Sequence, residues 1–436
     1  MEKRLIVISH DALVYEDLDT LKQLPNFSKI WKQTSLVERV RSVYPTVTYP
    51  CHATMMTGLY PDGHGIINNE QLNMCERSSP WIHFYDALKA PTVFNMAKTN
   101  GLSTAAVFWP VTGHRPGAQC PVDYLVNEYW PQSEGETHYD CFVNSGSTPE
   151  VMEKCVAPNL PFITRYPRAH PHLDHFIHAA ACDIIRAFKP NLLMLHPAIM
   201  DYYRHRSGLF TPLVTHGLHE VDMWFGLIMK ACEDAGVLDE TNFIITSDHG
   251  QLNSVRLAAP NVVFAEHGLI DVDNDKNITD YRAFCKSSGM SAHIFLKDPG
   301  DTKTYDETYA LLKKMRDEEV YGISEVFTAD EILAKERLSG GFSFVVETDG
   351  YSAFANDWSR PYLRPLSNED YKYGRATHGY LPDKGPQPTF FAFGPDIKPG
   401  VSLERGDLVD QAPTFARLLG FDMDGVDGKV VEEILR

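Results

Sequence analysis

Asn242-Phe-Ile-Ile-Thr-Ser247, followed at once by Asp248-His249-Gly250, is the stretch from which the fold can be read. Its centre is continuously apolar and its length suits a strand buried on both faces better than a helix. Two polar, charge-bearing residues stand directly at its end. In open α/β sheets, ligands gather beyond the carboxyl ends of the strands. The same construction recurs. Leu5 to Ser9 is a strand candidate followed by Asp11, and Asn191 to His196 (NLLMLH) is followed by Asp201 and His205. Thr104 to Trp109 is a further buried run, and Ala292 to Leu296 and Thr389 to Phe393 come later. Between them lie helical patterns, Leu173 to Phe188 and Leu213 to Ala235. This alternation predicts an α/β fold, a mainly parallel central sheet flanked by helices.

The chain has 436 residues, of which 43% are hydrophobic and 22% charged, an ordinary globular composition long enough for a large domain with an insertion. Residues 1–267 and 374–436 read as the core domain. The pattern changes over residues 268–373, with a helix candidate at Asp306 to Glu318 and strands near Gly322–Phe327 and Phe342–Glu347, so this part is expected to be an inserted cap. Val111 to Ser147, rich in Pro, Gly and polar residues, reads as a long surface excursion. The formal net charge of −18 repels nucleic-acid polymers and anionic membranes. It leaves a small anionic substrate open, because bound divalent cations can reverse the sign locally. Neither a signal segment nor a transmembrane run is read, so a cytoplasmic location is expected. The eight cysteines lack CxxC spacing and read as free thiols. Oligomeric state is not legible.

The densest motif is Arg41-Ser-Val-Tyr-Pro-Thr46-Val-Thr48-Tyr49-Pro50-Cys51-His52, continuing through Thr57-Gly-Leu-Tyr-Pro61 to His64-Gly-Ile66. Pro50 suits the start of a helix over His52 to Thr57. A hydroxyl at that end faces free N–H groups and the positive end of the dipole, where phosphate oxygens bind. Capping roles for Thr46 and Thr48 are the alternative. Asp201 and His205, at i and i+4, share one helical face and can share a cation; an N-capping Asp with a surface His is the alternative. Asp248 and His249 can face neighbouring metals if Gly250 lets the chain turn, against a loop Asp with a core His. Asp11 alone equally suits a helix cap. His170, His172, His175 and His178 cluster with Asp174 and read as a helix entrance rather than a further metal site.

The run PTVTYPCHATMMTGLYPDGHGIINNE resembles the signature of the nucleotide pyrophosphatase/phosphodiesterase (type I phosphodiesterase) family, within the alkaline phosphatase superfamily. The matching pieces are Thr48-Tyr49-Pro50, Thr57 to Pro61, His64 to Ile66 and Asn69, then Asp201…His205, Ser247 to Gly250, Thr377-His378-Gly379 and Asp407 to Gly420. The resemblance implies an alkaline-phosphatase-like core with two divalent metal ions, usually zinc, with manganese an alternative. Asp201, His205 and His378 would hold one; Asp11, Asp248, His249 and the Thr48 oxygen would hold the other. It also implies that Thr48 attacks phosphorus to form a phospho-threonine intermediate, with Asn69 and the backbone N–H beside Thr48 on a non-bridging oxygen. Tyr49 would stack on a base or another substrate group, unless it is a core tyrosine. Cys51 stands where many members have Asn, a change expected to alter the pocket wall, and the residues around Asp201 differ from the family pattern. Cleavage of phosphodiester or pyrophosphate bonds is the expected reaction. The alternatives are a phosphonoacetate-hydrolase-like enzyme, which would want lysines near the site; a phosphomonoesterase, with Arg204 or Arg41 supplying charge; and a non-catalytic binding protein.

Overall fold

β1 (Arg4–Ser9) is buried along its whole length and pairs in parallel on both sides, with β5 (Leu192–Leu195) and β6 (Thr241–Thr246). Because successive side chains of a strand point to opposite faces, β1 feeds two separate cores. Ile6 and Ile8 pack with Phe176, Trp224 and Phe225, from the helices His172–Phe188 and Pro212–Ala235. Leu5 and Val7 pack with Met55, Phe94 and Phe415, from the helices Thr48–Thr57, Val93–Thr99 and Gln411–Leu419. Each apolar side chain buried in this way contributes about 1.5–3 kcal/mol. The computed structural model describes residues 3–165, 168–367 and 374–436.

The central sheet has eight strands. From one edge they run Ser402–Asp407, β2 (Ser35–Arg41), Phe390–Phe393, β6, β1, β5, β3 (Thr104–Val107) and β4 (Tyr124–Val126). Only Phe390–Phe393 runs antiparallel to its neighbours, pairing Phe391 with Ile245 and Leu36. The α/β architecture with a mainly parallel sheet is therefore the one expected. β2 and Ser402–Asp407 are additions to the reading from sequence. Both are rich in charged residues (SLVERVR and SLERGD) and neither is buried throughout, so neither shows a continuous apolar run. The Val111–Ser147 excursion is not wholly on the surface, because it supplies edge strand β4 and the helix His138–Asn144.

A second, antiparallel sheet orders Ala283–Ser287, Ser291–Leu296, Phe344–Thr348 and Ile323–Thr328. It packs with the helix Thr302–Asp317, which the Asp301 side chain caps by accepting from Thr304 N at 3.1 Å. Phe284, Ile294, Leu312 and Phe344 form a core of their own here, joined by Ala258 and Phe264 from upstream of residue 268. Tyr373, the downstream limit expected for the cap, lies outside the described residues. Among the described residues, no helix is long and apolar enough to cross a membrane.

Candidate active site

Thr48 is the first residue of the Thr48–Thr57 helix, with Val47 in extended conformation as its N-cap. The helix thus begins four residues earlier than expected, and Pro50 falls in the first turn, where its missing N–H costs nothing. Thr48 lines the main pocket, and its Oγ1 lies 3.3 Å from His249 Nε2. Thr46 is committed elsewhere: its hydroxyl donates to Tyr380 O at 2.9 Å and accepts from Gly379 N at 3.0 Å. Of the two threonines, Thr48 is the one left to face a substrate.

Around it the strand ends converge. Asp201, His205 and His378 offer donor atoms within 4.8 Å of one another, and so do Asp11, Asp248 and His249. In the first group His205 Nε2 is 3.2 Å and His378 Nε2 3.8 Å from Asp201 Oδ1. In the second, His249 Nε2 is 3.2 Å from Asp248 Oδ2 and 3.6 Å from Asp11 Oδ1. Every one of these histidines has its Nδ1 hydrogen-bonded to a backbone carbonyl: His205 to Ala376 at 2.7 Å, His378 to Thr46 at 3.1 Å and His249 to Gly250 at 3.2 Å. That bond fixes the tautomer and turns the Nε2 lone pair inward, the usual second-layer support of a metal ligand. Oδ1 of Asp11 and Oδ2 of Asp248 are buried with no hydrogen-bond partner among the described residues. Burial first, then Asp248 and Asp201, push the Asp11 carboxyl well up. Buried, adjacent carboxylates of this kind call for a positive centre. Burial also works to raise Asp201, but His205 and His378 outweigh it and hold that carboxyl below its usual range. The residues therefore fit two divalent cations, and the nitrogen–oxygen donor set suits zinc or manganese.

A third close group, His52, His196 and Asp248, has another role. Both ring nitrogens of His52 are occupied, Nδ1 donating to Thr48 O at 2.8 Å and Nε2 accepting from Ser9 Oγ at 2.9 Å. His52 thus anchors the backbone of Thr48, and His196 Nε2 holds Asp11 Oδ2 at 3.1 Å. Gln251 Nε2 donates to Asp201 Oδ1 at 2.5 Å. Gly250 is required by close approach, not by a left-handed turn, since a Cβ there would lie 2.1 Å from Pro386 O.

Asn69 lines the pocket, and its Oδ1 accepts from Tyr49 N at 2.8 Å, which directs its amide NH₂ toward the cavity. The backbone N–H beside Thr48, expected to meet a phosphate oxygen, is thus spent in orienting Asn69. Tyr49 corrects a second expectation. It is fully buried and stands behind the wall, edge-on to Trp81 at 5.3 Å, because the turn of helix that exposes Thr48 points its neighbour into the core. Cys51 is likewise in the core, with Sγ 3.2 Å from Ser42 Oγ, and forms no part of the pocket wall. Arg204 is buried against Asp17 and Ala12 O, and Arg41 pairs with Glu336 and Asp383, so neither reaches the pocket.

The wall residues missed from sequence include Trp81, Glu128, Tyr129, Trp130 and Arg168, and His170, read as part of a helix entrance, joins them. They come from loops with no periodic signal. His170 Nδ1 donates to Asp174 Oδ2 at 2.5 Å. Of the other clustered histidines, His178 stacks on Trp224, and His175 Nδ1 accepts from Trp224 Nε1 at 3.1 Å.

The profile of the type I phosphodiesterase / nucleotide pyrophosphatase family matches residues 5–381. Human ectonucleotide pyrophosphatase/phosphodiesterase family member 5 is 24% identical over 430 residues, covering 96% of this chain and 74% of that protein. Mouse family member 3 is 27% identical over 259 residues, 56% of this chain, and the match spans only 24% of its length. Among solved structures, murine ectonucleotide pyrophosphatase/phosphodiesterase 5, in an inactive form in complex with AMP, superposes with a TM-score of 0.70 at 20% identity over 100% of both chains. The human counterpart gives 0.69 at 21% identity, also over 100% of both chains.

Proposed function

Because this chain belongs to the type I phosphodiesterase/nucleotide pyrophosphatase family, we propose that it hydrolyses a phosphodiester or pyrophosphate bond of a small phosphorylated substrate, with Thr48 as nucleophile. The observation that carries this reading is the place of Thr48: the first residue of a ten-residue helix, with its hydroxyl in the pocket beside two groups of inward-facing carboxylates and imidazoles. Asp201, His205 and His378 would hold one divalent cation; Asp11, Asp248, His249 and the Thr48 oxygen would hold the other. When bound, two such ions neutralise charge on the attacking, non-bridging and leaving oxygens. The chain's own residues do the rest. Thr48 Oγ1 forms a bond to phosphorus as the bond to the departing oxygen breaks, leaving phospho-Thr48 and an alcohol or phosphate. Water then attacks the same phosphorus and returns the threonine. The Asn69 NH₂ donates to a non-bridging oxygen, and His52, through Thr48 O, keeps the nucleophile in line.

The pocket wall supports this reading over its rivals. Among the described lining residues Arg168 is the only lysine or arginine. A phosphonoacetate hydrolase would want lysines there, and a monoesterase would want further cations for a dianion. The AMP complex of the murine relative supports a substrate of nucleotide size. The test is Thr48→Ala with bis(4-nitrophenyl) phosphate. Turnover should fall by about a thousandfold or more, as for loss of a covalent nucleophile. Wild-type protein quenched in acid during turnover should yield phosphothreonine. Undiminished hydrolysis by the variant overturns the assignment.

A further inference from the structure

We propose that the two cation positions load as one unit, and that Gln251 and Arg204 are the positioning residues that couple them; this rests on the two-cation part of the reading above. The two donor groups come from separate segments, yet a closed circuit of hydrogen bonds runs through both. It starts in the second group, where Ala12 N, next to Asp11, donates to Asp248 Oδ1 at 3.2 Å. Gln251, on the segment that carries Asp248 and His249, crosses to the first group. Its Nε2 donates to Asp201 Oδ1 at 2.5 Å and to Asp201 O at 3.2 Å. Asp201 shares a helix with Arg204 and His205. Arg204 Nε then closes the circuit by donating to Ala12 O at 3.1 Å. Every side chain in it is buried.

Ala12 sits at φ 57°, in the left-handed region that a residue with a Cβ enters only where its surroundings hold it. Both its N–H and its C=O are bonds of the circuit. The turn that aims Asp11 is therefore set by Asp248 on one side and by Arg204 on the other. Arg204 is fixed in turn by Asp17 at 2.5 Å and by Leu209 O, and Asp17 braces the same turn by accepting from Val14 N at 2.9 Å. On the other arc Leu252, next to Gln251, pairs with Thr377, next to His378. Each segment with a ligand of one group is thus bonded to a segment with a ligand of the other. Donors held in place bind more tightly, because less ordering remains to be done. The Asp11 group has two carboxylates to one in the Asp201 group, so it fills first. A cation there draws its donors into one geometry, and the circuit passes that constraint to Asp201 and its helix. Repulsion between two dications works against the coupling, and the carboxylates of Asp11, Asp248 and Asp201 offset most of it.

The test is equilibrium zinc binding to the metal-free full chain, in competition with a chromogenic chelator, so that no turnover is involved. His249→Ala disables the second group and His378→Ala the first; neither side chain belongs to the circuit. The product of the two association constants of the intact chain is divided by the product of those of the two single-group variants. This coupling factor should be about ten or more, within the usual range for linked sites. It is then measured again in two backgrounds. Gln251→Met keeps the length of the side chain and removes its donor. Arg204→Lys keeps the charge beside Asp17 and removes the planar fork that reaches Ala12 O. In each the factor should fall toward one. Because it is a ratio taken within one background, a loss of affinity common to every member cancels. A factor of one or less in the wild-type background overturns the coupling. A factor that survives both replacements overturns the roles of Gln251 and Arg204. An intact chain that takes up fewer than two zinc or manganese ions overturns the two-cation reading and the coupling with it. Uptake of two with a factor of one leaves that reading standing and removes the coupling alone.

Discussion

Asn69 shows how much of the proposed site depends on one orienting bond. Its carbonyl oxygen is held by Tyr49 N at 2.8 Å, which leaves its NH₂ to the pocket, where the proposed mechanism has it donate to a non-bridging oxygen. A donor fixed before the reaction begins stabilises developing charge without reorganising. Asn69→Ala should therefore lower kcat by about 100- to 1000-fold with a small change in KM. Steady-state kinetics on bis(4-nitrophenyl) phosphate checks this; a rise in KM with unchanged kcat would make Asn69 a ground-state contact only. Thr46 and Thr48 illustrate the same scale from the opposite side. Both hydroxyls precede the helix start at His52 expected from sequence, and spacing offers no way to tell them apart. The structure separates them by partners: Thr46 is enclosed between Gly379 N and Tyr380 O, and Thr48 is open to the pocket.

At the scale of elements, the helix Ile199–Ser207 carries the proposed ligands Asp201 and His205 but has no side-chain cap of its own, since the methyl group of Ala198 cannot bond its free N–H groups. Asp174, from the neighbouring helix His172–Phe188, provides that cap: its Oδ1 accepts from Ala198 N at 2.9 Å and from Ile199 N at 3.0 Å. Burial works against the Asp174 carboxylate, yet His170 and these donors hold it below the usual carboxylate range. Asp174→Ala should cost about 1–3 kcal/mol, by orphaning two buried N–H groups. It should also weaken metal binding about 10- to 100-fold through the displaced helix. Chelator competition followed by metal analysis on the folded variant measures the second effect, and unchanged affinity would show that the helix is placed by packing alone. None of this was legible beforehand, because capping from another element leaves no mark in local sequence. What was legible is equally physical. Strands β1, β5 and β6 are buried on both faces, so they read as continuous apolar runs, and the polar residues after them, Asp11, Asp201, His205, Asp248 and His249, stand out at their ends. β2 pairs on both sides but is only partly buried, and its alternation with charged residues hid it. Trp81, Glu128, Trp130 and Arg168 come from loops whose approach is a tertiary event. Tyr49 misled because the aromatic type is visible in sequence and the direction it points is not.

For the whole molecule, the second sheet holds two buried titratable groups, one joining it to the rest of the fold and one packed within it, and these set opposing pH dependences. Glu347, on the Phe344–Thr348 strand, accepts from Tyr44 Oη at 2.9 Å, Lys384 Nζ at 2.9 Å and Leu381 N at 3.2 Å. Burial pushes its carboxyl up to about 7 in spite of Lys384. His293, on Ser291–Leu296, stacks on Phe342 at 4.9 Å, and burial lowers it to about 3. The signs are opposite. Between pH 7 and 5 the unfolded chain protonates His293 while the folded chain does not, so acid removes stability. Over the same range folded Glu347 takes up a proton that the unfolded chain, with its ordinary carboxyl, largely refuses, so acid adds stability. Each effect is worth about 2 kcal/mol across that window. They largely cancel in the intact protein, so single replacements are needed to expose them. Relative to wild type, His293→Phe should gain about 2 kcal/mol on going from pH 7 to 5, and Glu347→Gln should lose about the same. Urea unfolding at both pH values reads each change as a double difference, which removes any constant packing penalty of the substitution. If neither gap moves with pH, both groups titrate alike in the folded and unfolded chains, and their surroundings are not sealed from water.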